Sequence, residues 1–177
     1  EGKMYGLNAS GPAPKSLSVA ALKDRGFEKI PSYGVEPIDV PGAVAGWMTL
    51  HERFGKLPLE EVMAPAIRYA EEGYPVTPNI SRLWQEAFEN YSKYRERPEF
   101  QGWFDTFAPN NTWLKPGEMF RCPDMAKTLK EIAATKGEAF YRGAIAEKID
   151  AFFKKHNGFL IKEDLAARSE EHTSELQ

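Results

Sequence analysis

Residues 40–76, VPGAVAGWMTLHERFGKLPLEEVMAPAIRYAEEGYPV, hold two apolar stripes of helical period separated by a break marked with Gly and Pro. Ala43, Trp47, Leu50 and Phe54 recur at spacings that place them on one helical face, which predicts a helix over 42–54 with that face turned inward. Gly55 stands where a helix-ending glycine belongs. Pro58 suits a first turn, where its missing N–H leaves no intrahelical bond unmade. The second stripe, Leu59, Val62, Met63, Ala66, Ile67 and Ala70, predicts a helix that ends at Gly73, with Pro65 as a site of kinking or breakage. The stretch is a helical hairpin and sets a largely helical expectation for the chain.

The rest of the sequence extends that expectation. Residues 3–7 are a short strand candidate running into the turn-rich NASGPAP at 8–14. Ser16 is placed to cap a helix through about residue 25, stopped by Gly26. Residues 30–41 carry three prolines and one glycine and read as a connector. A helix over 81–94 would turn Leu83, Trp84, Ala87, Phe88 and Tyr91 inward. Residues 98–111 are aromatic but aperiodic, which predicts an ordered loop. Asp124 is expected to cap a helix over 125–135 with Met125, Leu129 and Ile132 inward, ended by Gly137. A further helix over 144–156 carries Ile145, Ile149, Phe152 and Phe153 and closes at Asn157-Gly158, and another begins at Lys162.

Composition narrows the classes. The 177 residues are 42% hydrophobic and 28% charged, enough apolar material for one core in a domain of ordinary size. The net charge of −3 argues against nucleic acid or an anionic membrane as partner, and no apolar run approaches the roughly 18 residues of a membrane span. The single cysteine, Cys122, excludes an internal disulfide framework and a zinc site built from cysteines. The opening EGKMYG reads as cut at the front. Residues 168–177, RSEEHTSELQ, lack apolar periodicity and read as the in-frame translation of a sequencing adapter. Fold and function are therefore expected in residues 1–167, with 168–177 set aside as an artefactual tail.

Few residues carry chemistry by themselves. Asn8 and Ser10 lie beside Gly11 after the strand candidate, where short polar side chains and backbone N–H groups can meet an anion, although an ordinary turn explains the same residues. His51 has no Ser or Cys at helical spacing to activate, so a surface or salt-linked role fits it better than acid–base chemistry. The pairs Glu60-Glu61 and Glu71-Glu72 are adjacent, point to different sides of a helix and read as solvated faces. Asn8, Asn79, Asn90 and Asn110 match the short glycosylation pattern, which arises readily by chance. Read from residues alone, the chain is a mostly helical domain without a self-contained active site, which also suits a non-catalytic binding or scaffold domain.

Six segments in order resemble the large subunit of γ-glutamyltransferases: LNASGPAP (7–14), VPGAVAGW (40–47), residues 54–76, KPGEMFRCPDMAKTLKEIA (115–133), AFYRGAIAEKI (139–149) and NGFLIKEDLAA (157–167). The resemblance implies an α+β fold class, this chain being the mostly α-helical portion of an Ntn-hydrolase (αββα) large subunit. It implies a precursor that cuts itself in two. The small subunit then begins with a threonine that serves as nucleophile while its own α-amine acts as base. That threonine is not expected within these residues, so the chain by itself would be inactive. The implied partners are a small-molecule γ-glutamyl or related acyl-amide substrate and the small subunit of the same precursor, with no cofactor and no metal. The well-studied members carry an arginine where Ser10 stands here, and it grips the substrate α-carboxylate. A serine cannot supply that bidentate charged grip, so the wording resembles a divergent, acylase-like branch. Asn8 and Ser10 are the substrate-binding residues that the resemblance suggests.

Overall fold

The computed structural model describes residues 2–168. They divide into two units, one made of residues 2–62 and 131–168, the other of residues 63–130. The expected tail lies outside the described residues except for Arg168, which closes the last helix and is buried.

In the first unit the chain runs without a strand through residues 3–7, contrary to the sequence expectation. Among the described residues no second strand lies alongside to pair with it. Instead Leu7 and Ala9 lie against Gly46. Helix α1 (Val19–Asp24) is capped by Ser18, whose hydroxyl accepts the Ala21 N–H at 3.1 Å. The expected cap, Ser16, is used elsewhere and donates its hydroxyl to the Phe159 carbonyl at 3.0 Å. Gly26 does end this helix, with φ +82.

Helix α2 (Ala43–Phe54) forms where its sequence places it, but the buried face differs. Val44, Ala45 and Gly46 are buried, whereas Trp47, Leu50 and Phe54 remain 43–46% exposed. The small residues of the AVAG run allow closer packing than the large stripe does. Gly55 follows with φ −63, so it is not a left-handed cap. A side chain there would strike the His51 carbonyl oxygen at 2.4 Å and its ring at 2.6 Å. Helix α3 (Leu59–Glu72) continues through Pro65 without a break and buries Leu59 and Met63, while Val62 stays exposed.

Beyond the end of a helix that starts in the second unit, this unit holds α7 (Glu138–Tyr141), a short helix not foreseen in the sequence, with α8 (Ala144–Lys155) and α9 (Lys162–Arg168). Ile145, Ala146 and Phe153 face inward from α8, while Phe152 is 40% exposed. Leu160 and Leu165 are among the most deeply buried side chains.

The second unit carries a two-residue antiparallel ladder, β1 (Tyr74–Pro75) against β2 (Met119–Phe120), with Tyr74 opposite Phe120. Helix α4 (Pro78–Ser92) starts three residues earlier than expected. Thr77 caps it and Pro78 occupies its first turn, a cap-plus-proline start that lies plainly in the sequence. Residues 98–111 are not a loop: a 3-10 turn (Pro98–Phe100) leads into α5 (Gln101–Phe107). Phe100 and Phe104, one turn apart, are buried, and the other rings join an aromatic cluster that hides the helical period under uniform aromaticity. Trp84 meets Phe120 edge-on at 4.8 Å, Tyr91 meets Trp103 at 4.6 Å, and Phe107 stacks on Phe120 at 5.8 Å. Such pairs add about 0.5–1.5 kcal/mol each beyond their buried area. Helix α6 (Pro123–Thr135) buries Ala126 and, beyond the unit boundary, Ile132, but Met125 is half exposed rather than inward.

Candidate functional site

The two sequence-predicted site residues sit on one turn. The Asn8 Oδ1 accepts the Ser10 N–H at 3.0 Å, and both residues are exposed. This is an Asx turn: the side chain mimics a backbone turn and fixes the loop locally. Among the described residues neither the Asn8 amide nitrogen nor the Ser10 hydroxyl makes a side-chain bond, so both remain available to a ligand.

Behind the turn, backbone packs directly on backbone. A Cβ on Gly11 would lie 1.5 Å from the Val40 carbonyl oxygen, and one on Gly42 would lie 1.8 Å from the Ala9 carbonyl oxygen. A Cβ on Gly46 would lie 2.7 Å from the Ala9 methyl. The Val40 N–H donates to the Pro12 carbonyl at 3.0 Å. The VPGAVAG run is therefore a seat, its glycines spaced to receive residues 9–12.

That seat has a cost at the helix start. Gly42 is the N-cap of α2 and has no side chain to satisfy the free N–H groups of the first turn. Tyr141 of α7 supplies the missing partner. Its hydroxyl accepts the Ala45 N–H at 2.9 Å and donates to the Pro41 carbonyl at 2.9 Å. The resemblance of the segment 139–149 assigns this tyrosine no role. The signal lies in the sequence, since a helix beginning PGAVAG without Ser, Thr, Asp or Asn needs an acceptor for its first N–H groups from elsewhere.

Burial pushes the Tyr141 hydroxyl above its ordinary value of 10.0, with the Ala45 N–H and the Arg168 charge pulling the other way. A proton held more tightly in the folded state stabilises the fold fully below the ordinary value, and the contribution is lost as pH rises through the higher folded value. Unfolding midpoints are thus expected to stay level up to about pH 10 and then fall, with Tyr141→Phe flattening the fall. An equally steep fall in the Phe variant would assign the alkaline loss to other groups.

A separate cavity of about 650 Å³ opens beside Tyr141 and is also lined by His51, Glu52, Glu60, Lys136 and Glu138. It contains no Ser, Thr or Cys, and neither Asn8 nor Ser10 reaches it. The His51 Nε2 donates to the Leu57 carbonyl at 2.8 Å, which braces the turn into α3, and Glu138 is bound twice by Arg142 at 2.9 Å. Its histidine is thus committed to structure. Among the described residues no cluster of His, Cys, Asp and Glu could hold a metal ion, and no helix is long and apolar enough to cross a membrane.

The model of the gamma-glutamyltranspeptidase family matches residues 1–176. The chain belongs to that family. Among solved γ-glutamyltranspeptidase relatives, the cephalosporin acylase from Bacillus halodurans is 50% identical, with a TM-score of 0.90 over 94% of this chain and 31% of its own. The γ-glutamyltranspeptidase of Helicobacter pylori is 30% identical, with a TM-score of 0.79 over 93% of this chain and 46% of that one. The glutathione hydrolase proenzyme of Pseudomonas aeruginosa is 34% identical over 169 residues, which are 94% of this chain and 28% of that protein. The chain thus spans little more than a quarter of that curated relative. The fold is the mostly helical part of a γ-glutamyltranspeptidase-type Ntn hydrolase.

Proposed function

We propose that this chain supplies the acyl-binding loop of an acylase-like γ-glutamyltranspeptidase, with Asn8 and Ser10 as the residues that meet the substrate. One observation carries the reading: a turn pinned from behind by glycine-to-backbone packing, with its two polar side chains exposed. The nucleophile in this reading is the N-terminal threonine of the small subunit of the same precursor, outside these 177 residues. Its hydroxyl attacks the amide carbonyl while its α-amine takes the proton. The tetrahedral intermediate then expels the amine, and the acyl-enzyme passes its acyl group to water or to an amino acid. The half-exposed stripe of Trp47, Leu50 and Phe54 supports such a companion, because an amphipathic face of this kind is ordinarily covered.

Ser10 sets the expected donor. A neutral hydroxyl binds an α-carboxylate far less firmly than a guanidinium does, so amides lacking that carboxylate should be accepted as readily as γ-glutamyl amides. In the complete enzyme, Ser10→Arg is expected to raise kcat/KM for γ-glutamyl-anilide relative to butanoyl-anilide by about tenfold or more. An unchanged ratio would remove Ser10 from the acyl site. The 177-residue chain alone is expected to give no turnover of γ-glutamyl-anilide, and measurable turnover would relocate the nucleophile.

A further inference from the structure

We infer that Tyr141 is a positioning residue for the 8–12 loop, acting through the start of α2. The inference rests on the reading of that loop as the acyl-binding element. Three links form the chain of action. The Tyr141 hydroxyl joins the Pro41 carbonyl to the Ala45 N–H, fixing the first turn of α2 from both ends. That same stretch carries Gly42 and Gly46, on which Ala9 rests, and begins at Val40, whose N–H holds the Pro12 carbonyl. Asn8 and Ser10 project from the segment so held.

The arrangement follows from a steric conflict. Close approach of the Ala9 carbonyl forbids any side chain at position 42, so the helix cannot be capped by its own N-cap residue. A cap from a residue 96 positions away resolves the conflict and ties the loop to the α7 turn. Gly137, at φ +86, starts α7 and lies against Met48 and Val44 of α2, where a Cβ would approach both side chains at 3.2 Å. The tyrosine is therefore carried on an element that itself grips α2.

Tyr141→Phe keeps the ring and removes only the hydroxyl. In the complete enzyme it is expected to raise KM for an acyl-anilide about fivefold with kcat within about twofold, since the loop binds the acyl group and the nucleophile lies elsewhere. Hydrogen exchange on the complete enzyme supplies the second readout. Tyr141→Phe is expected to speed exchange at Ala45 and also at the buried Val40 N–H, whereas Leu160→Val, a core change without a bond to α2, is expected to leave Val40 slow. Faster exchange at Ala45 alone, or equal loosening by Leu160→Val, would overturn the inference. If Asn8→Ala and Ser10→Ala leave KM unchanged while exchange in Tyr141→Phe still spreads from Ala45 to Val40, the acyl-binding reading falls and the mechanical coupling stands.

Discussion

Gly11→Ala is expected to lower the unfolding free energy by about 3 kcal/mol or more, read from urea denaturation. The added methyl would be built 1.5 Å from the Val40 carbonyl oxygen. That oxygen belongs to the backbone, so no rotamer change relieves the overlap. Residues 9–12 would have to lift off the α2 approach, and the 3.0 Å bond from the Val40 N–H to the Pro12 carbonyl would be lost with them. Val40 is 1% exposed, so its N–H would then lie buried without a partner. Gly42→Ala meets the same obstacle from the other side, 1.8 Å from the Ala9 carbonyl oxygen, and should behave alike. Gly102 provides the contrast. It is an exposed residue inside α5 with no atom near its virtual Cβ, so Gly102→Ala is expected to be neutral or to gain about 0.5–1 kcal/mol. A Gly11→Ala variant as stable as the parent would mean that the seat is not a close contact in solution.

These glycines mark the boundary of what the sequence discloses. Helix positions followed from period and punctuation: α3 from its stripe and Gly73, α8 from Ile145 and Phe153 and the Asn157-Gly158 stop, and the end of α6 from Gly137, although α6 starts at Pro123 and so takes Asp124 into its first turn instead of using it as the expected cap. The facing of α2 did not follow, because period counts large apolar residues while the contact uses the smallest ones. Val44, Ala45 and Gly46 are buried by backbone approaching from residues 7–12, a partner that no local pattern names. The same limit hid α5, where nearly every residue able to mark a stripe is aromatic, and the two-residue β1–β2 ladder, whose strands lie 43 residues apart and are too short for alternation to register. Asn8 and Ser10 were readable as a turn, and the structure does bring them together in one Asx turn. Tyr141 could have been found only by asking where the donors of an uncapped helix go.

The far end of the loop rests on a different anchor, and Asp164→Ala is expected to cost about 2–4 kcal/mol. Asp164 is 4% exposed, and both carboxylate oxygens are used. One accepts the Lys15 N–H at 3.1 Å and the other the Ile161 N–H at 3.2 Å. The second bond is half of a capping box, an acidic side chain in the first turn of α9 reaching back to the residue before the helix. The first bond spans 149 positions and ties the chain just beyond Pro14 to α9, beside the bond from Ser16 to the Phe159 carbonyl. Alanine would strand two N–H donors, whereas Asp164→Asn keeps one acceptor oxygen and should lose roughly half as much. For a chain of this length, the alanine variant should melt about 5–15 °C lower in a thermal scan. A loss under about 0.5 kcal/mol would show that water replaces the carboxylate at both amides. The functional consequence differs from that of Tyr141→Phe. Asp164 and Val40 hold the loop after its polar turn, while Tyr141 holds the seat beneath it, so the two variants should weaken acyl binding additively unless they act through one shared shift of residues 9–12.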